Sequence, residues 1–196
     1  MNLSKNNKKE IKTLRLKASN WFEANNYPEE AIEYSLIAED YQKAVQLLTL
    51  NVDDIMIKGK YLTVWHWLIE IPENYILPVP ELCLVQAWKY FTGGNSLKAE
   101  EYLQSVENFL EQKEGKEKSS AEIENVKDIK GRMKAIMAFL DSFKGDVPSM
   151  IINTREALSL LSPRDLTWRS LVSMALGDAY GMTGELQKAF EIRLKA

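Results

Sequence analysis

Apolar residues recur every three to four positions along almost the whole chain, which is the period of an amphipathic α-helix. Ile11, Leu14, Ala18, Trp21 and Phe22 set a first helix to about Asn25. Asn26-Tyr27-Pro28-Glu29-Glu30 then stops one helix and starts a short second, to about Glu39, with proline and acids in its first turn. Asp40 is placed to cap a third, whose apolar face is Tyr41, Ala44, Val45, Leu48, Val52 and Ile55, and which ends at Lys58-Gly59-Lys60. Residues 61–71 read as an aromatic-rich fourth helix. Pro72, Pro78 and Pro80 withhold backbone donors and predict an extended connection with one short turn around 73–76. Helices follow over 81–91 and, behind Asn95, over 96–111. Ser119-x-x-Glu122 is a capping box for a long helix over 121–144, whose stripe runs from Ile123 to Phe143. Asp146 caps a helix to Leu161, and two more cover 166–183 and 185–196. About ten helices and no convincing strand predict an all-α protein.

One spacing recurs along the chain. Near the C-terminus Gly177-x-x-Tyr180 is followed by Gly184 and Ala189. Ala87, Tyr90, Gly94 and Ala99 repeat it, as do Ser19, Phe22, Asn26 and Ala31, and Gly145 lies 39 residues before Gly184. Small residues suit close helix crossings, and Gly or Asn suits a left-handed helix stop. The pattern is that of tetratricopeptide-like helix–turn–helix units. The expected architecture is a right-handed α-α superhelix of such hairpins, in one domain over 1–196. A charged linker at about 112–120 separates sub-blocks 1–111 and 121–196.

Composition narrows the chemistry. Net charge is −3, so the chain as a whole does not favour nonspecific nucleic-acid binding. Lys5, Lys8, Lys9, Lys12, Arg15 and Lys17 make the first turns basic and read as a solvated face. No run of 18 apolar residues exists, the polar N-terminus is no signal peptide, and the single cysteine, Cys83, suits a reducing cytoplasm. His66, between Trp65 and Trp67, is the only histidine, which excludes a multi-histidine zinc site. Neither a phosphate loop nor Gly-x-Gly-x-x-Gly occurs. The adjacent acids Glu29/Glu30 and Asp53/Asp54 point to different helix faces. The expectation is therefore a non-enzyme with no catalytic, cofactor or metal residues. Trp21, Trp65, Trp67, Trp88 and Trp168 read first as core and ridge filling, and second as lining of a concave face.

Several segments together resemble a known family. Ala18-Ser-x-Trp21-Phe-Glu-Ala-Asn-x-x-Pro28-Glu-Glu-Ala31-Ile-Glu-Tyr-Ser-Leu36 is similar to the helical segment behind the nucleotide-binding module of large ATP-dependent LuxR-type transcriptional regulators, the MalT-like family. Asp40-Tyr-Gln-Lys-Ala44, Gly59, Pro80-Glu-Leu-Cys-Leu84-x-x-Ala87-Trp88, Gly131-Arg-Met-Lys-Ala-Ile136, Gly145-Asp, Arg169 and Leu176-Gly-Asp-Ala-Tyr180 continue the likeness. The resemblance implies a non-catalytic sensor or scaffold segment that couples an effector or partner to the regulator's ATPase switch. Its partners would be protein or intramolecular domain contacts or a small-molecule effector, with no DNA or membrane binding by this segment. The other reading is a free-standing repeat adaptor with a peptide- or protein-binding groove. The last hairpin carries Leu186, Phe190, Ile192 and Leu194, more apolar surface than one neighbour should cover. The expectation is a cut edge that packs on another copy and frays in dilute solution.

Overall fold

The computed structural model describes residues 3–115 and 119–194. Among the described residues it is all-α, with eleven helices and no strand. They are α1 (Leu3–Ala24), α2 (Pro28–Ile37), α3 (Tyr41–Ile57), α4 (Tyr61–Glu70), α5 (Glu73–Ile76) and α6 (Pro80–Thr92). Then come α7 (Ser96–Lys113), α8 (Ser120–Lys144), α9 (Val147–Leu160), α10 (Leu166–Met182) and α11 (Leu186–Arg193). The chain forms two compact units, Met1–Leu82 and Cys83–Ala196.

One turn design makes the hairpins. Asn26, Glu39, Gly59, Gly94, Gly145 and Gly184 each follow a helix in the left-handed region, at φ between 54° and 80°. The next residue's N–H then reaches the carbonyl five residues back: Tyr27 to Phe22, Asp40 to Ser35, Lys60 to Ile55, Asn95 to Tyr90, Asp146 to Asp141 and Glu185 to Tyr180, at 2.8–3.3 Å. This is the Schellman closure, which satisfies carbonyls orphaned at a helix end. The same residue begins the next helix. Asp40, Asn95 and Asp146 accept the N–H groups of Lys43, Lys98 and Ser149 at 3.0–3.1 Å. A single residue thus closes one helix and caps its successor. Seven residues before each left-handed position and five after it, the chain is buried: Ser19 and Ala31, Ile32 and Ala44, Val52 and Val64, Ala87 and Ala99, Ala138 and Met150, Gly177 and Ala189.

In the first unit α1 lies on α2 across small polar residues. The Ser19 hydroxyl is 2.9 Å from the Ala31 carbonyl and 2.8 Å from the Ser35 hydroxyl, and both serines are buried. The Arg15 guanidinium reaches the last carbonyl of α2, Ile37, at 2.8 Å. Because α1 has 22 residues and α2 only 10, the part of α1 before Arg15 runs past its partner. Ile11 and Leu14, which follow the helical period, are accordingly exposed, and Trp21, beside the α1–α2 turn, is exposed as well. α3 packs on α2, α4 and the one-turn α5 that sits between the prolines, as their spacing predicts.

In the second unit α8 and α9 form the tightest pair, and α10 then α11 are added to it. Ala135, Ala157, Leu161 and Val172 make one core cluster. Ala138, Met150, Ala175 and Ala179 make the next, and Leu176, Tyr180 and Ala189 the third. The charged stretch 112–120, of which 116–118 lie outside the described residues, connects α7 to α8 within this unit. It lets α8 fold back, so that Lys144 at the end of α8 pairs with Glu100 near the start of α7 at 2.6 Å. The two units divide at Leu82/Cys83. Gly177 lies at a close approach, though its neighbour is the Arg193 side chain, 2.8 Å from where a Cβ would stand, and not Ala189. On α11 Ile192 packs inward, while Leu186, Phe190 and Leu194 are exposed.

Candidate interaction surface

The residues with catalytic potential do not converge. His66 projects from α4, 68% exposed, with Nε2 3.0 Å from the Glu70 carboxylate one turn on. Cys83 is buried beside Leu82, Leu84 and Val85. Glu29 holds Lys60 at 2.7 Å, and Asp53 and Asp54 face solvent. Among the described residues no group of three His, Cys, Asp or Glu could hold a metal ion. No helix there is long and apolar enough to cross a membrane.

The tryptophans divide by unit. In the first, Trp67 is core, Trp65 is half-buried, and Trp21 is exposed and stacks on Tyr27 with ring centres 6.4 Å apart. In the second, Trp88 and Trp168 meet edge to face at 5.4 Å and organise a larger group. Trp88 contacts Phe91 at 5.6 Å and Phe139 at 5.3 Å; Phe91 contacts Phe139 at 5.9 Å and Phe143 at 5.6 Å. These five rings come from α6, α8 and α10, the first helices of three successive hairpins. Helical spacing places them: Trp88 and Phe91 are one turn apart on α6, and Phe139 and Phe143 one turn apart on α8. Four are half-buried and Phe143 is 78% exposed, so the row is a surface and not a core. Lys89, next to Trp88, has an ammonium pKa pushed below the usual lysine value by burial.

A polar latch holds the far end of the row. Asp165 caps α10 by accepting the Trp168 N–H at 3.1 Å and pairs with Arg132 of α8 at 3.0 Å. Arg132 also pairs with Asp128 at 3.0 Å, and Asp128 accepts the Ser162 N–H at 3.3 Å. Arg169 donates to the Leu158 and Leu161 carbonyls at 2.9 and 3.1 Å, satisfying the end of α9. The latch ties the α9–α10 connection to α8 and thereby fixes the Trp168 ring. Arg132 and Arg169, both among the residues of the family likeness, have structural work here.

The sequence pointed to Trp88 and Trp168 but not to the three phenylalanines. The stripe that includes Phe143 reads as core, yet Ile123 (43%), where α8 overruns α9, and Phe143, beside the turn into α9, are both exposed. The discernible signal was Trp88-x-x-Phe91 paired with Phe139-x-x-x-Phe143. No protein-family model, curated protein or solved structure matches this chain.

Proposed function

We propose that the chain is a non-catalytic helical-repeat binding segment whose aromatic row receives an effector or protein partner. The row carries the reading: five contacting rings on successive first helices, four half-buried and one 78% exposed, a small apolar surface whose rings already hold one another in place. On this proposal, and in keeping with the resemblance to MalT-like regulators, the segment would lie between an ATPase switch and a DNA-binding module in the cytoplasm and relay occupancy to the switch. In that role it neither hydrolyses ATP nor binds promoter DNA itself.

A melting-shift screen with sugars, small metabolites and peptides tests the proposal. A ligand at 100 times its Kd adds about 2.7 kcal/mol of stability. For a chain of this size that is a shift of roughly 5–10 °C. The expected hit loses its shift in Phe91→Ser and Phe143→Ser. Small-molecule hits support the sensor reading and peptide hits the free-standing adaptor. Hits indifferent to both substitutions, or salt-sensitive binding to duplex DNA tighter than about 1 μM, would count against the proposal.

A further inference from the structure

A concavity lies along α8 where it meets α7. The two helices enclose a cleft of about 310 Å³. Its floor is Leu103 of α7 with Met133, Met137 and Leu140 of α8. Methionine is unbranched and polarisable, so a floor with two of them adapts to apolar groups of different shape. The rim carries Glu100 and Glu107 from α7 and Asp141 and Lys144 from α8, three carboxylates against one ammonium. That ammonium is already held by Glu100 at 2.6 Å, with its pKa raised by this hydrogen bond. Asp141 accepts from Asn153 at 2.7 Å and Glu107 from Gln104 at 3.1 Å, so both acids are fixed in place while each carboxylate retains acceptor capacity. The acidic character continues one turn outward along α7 to the exposed Glu111, whereas the exposed Glu101 is paired with Lys98 at 2.7 Å.

We propose that this cleft docks a basic amphipathic helix of a partner protein. One or two apolar anchors would enter between Leu103 and the methionines, while flanking Lys or Arg residues reach Glu100, Glu107 and Asp141. Charge complementarity selects the partner's sign, and the apolar floor requires a helix with a hydrophobic face. Glu111, beyond the cleft on α7, favours a peptide several turns long over a compact cation. The site is separate from the aromatic row and does not depend on the function assigned to it.

The probe is a fluorescein-labelled 14-residue Leu/Lys helix, with a Leu/Glu helix of the same pattern as its counterpart, titrated with the full chain by anisotropy. The Leu/Lys helix is expected to bind and the Leu/Glu helix not to. Glu100→Gln with Glu107→Gln should weaken binding by about tenfold, and Met137→Glu should weaken it at least as much. Glu124→Lys, on the exposed start of α8, should leave it unchanged and reports generic charge attraction. Far-ultraviolet dichroism confirms that each variant is folded. Equal affinity for both helices, equal loss in Glu124→Lys, indifference to the cleft substitutions, or full competition by spermidine at the same charge concentration would overturn the proposal.

Discussion

Gly131 gives the sharpest test of how the second unit is packed. It lies in the middle of α8, where Ala in place of Gly normally stabilises by about 1 kcal/mol through helix propensity. A Cβ there would stand 3.0 Å from the backbone nitrogen of Leu161, 3.0 Å from its Cγ and 3.2 Å from Leu160 Cβ. The nitrogen cannot retreat freely. Leu161 is 3% exposed in a core cluster, its N–H donates to Ala157 at 2.9 Å, and its carbonyl accepts from Arg169. Relief therefore requires α9 to move away from α8 by several tenths of an ångström, an overpacking cost of about 1–3 kcal/mol. The net for Gly131→Ala is a loss of roughly 0–2 kcal/mol, because propensity offsets part of the strain. Gly181 in α10 is the internal control: nothing lies within 4 Å of its missing Cβ. Gly181→Ala should gain about 0.4–1 kcal/mol. Urea unfolding followed by dichroism at the helix band should place Gly131→Ala at or below the parent and Gly181→Ala above it, about 0.4–3 kcal/mol apart. If Gly131→Ala stabilises as much as Gly181→Ala, the α8–α9 crossing is not as close as described. Gly177 is the weaker case, because the Arg193 side chain that faces it can swing aside.

Other substitutions probe the turns and the aromatic row. Glu39 adopts φ 54° without being glycine, so Glu39→Gly should raise stability by about 0.5–1 kcal/mol in the same urea assay, whereas Gly94→Ala, at φ 80°, should lower it by about 1 kcal/mol. Asp146 has its carboxyl below the usual range because the Ser149 side chain and N–H bond it; that stabilisation is complete above the unfolded value near 3.9 and is lost as pH falls through the lower folded value. The stability gap between the parent and Asp146→Asn should therefore narrow between pH 7 and pH 3, and a constant gap would contradict the cap. Trp88→Ala removes three ring contacts and should cost roughly 2–4 kcal/mol, while Phe143→Ala should stay within about 0.5 kcal/mol of the parent in thermal melts.

Most of the helices were legible because local signals agreed with the apolar period. Asp40, Asn95, Ser119 and Asp146 all cap the helices expected of them, and Ser119 with Glu122 completes a reciprocal box at 2.9 and 3.3 Å. The left-handed stops at Asn26, Gly94, Gly145 and Gly184 were legible for the same reason. Glu39 was not, because nothing about a glutamate announces a left-handed conformation. Its geometry is imposed by burial of Ile32 and Ala44 on either side of the turn. With Glu39 and Gly59 included, the irregular repeat resolves into one turn design joining helices of 8 to 25 residues. Turn chemistry is conserved between hairpins while helix length varies, so a search for a fixed period finds only some of the copies.

Exposure was harder to read than helicity, and the candidate site depends on exposure. A stripe at 3.6-residue spacing predicts which side of a helix is apolar, but not how far along that side a neighbour reaches. Phe143, two residues before the Gly145 turn into α9, keeps the stripe's phase yet stands in solvent beside Phe91 of α6; Ile123 does so because α8 has 25 residues and α9 only 14. The same mismatch exposes Leu14 on α1 beyond α2. Length differences between paired helices thus expose Leu14 and Ile123, while ring contacts distinguish the surface at Phe143. Leu14 projects from a single helix, whereas Phe143 extends a set of five rings drawn from three helices and locked at Trp168 by Asp165 and Arg132. A pre-organised surface of that kind loses little freedom when a ligand arrives, which is the condition for a small apolar area to bind with useful affinity. Loosening the latch with Arg132→Met should therefore weaken a ligand of the aromatic row without touching it, and an unaltered affinity in a folded variant would separate the latch from binding.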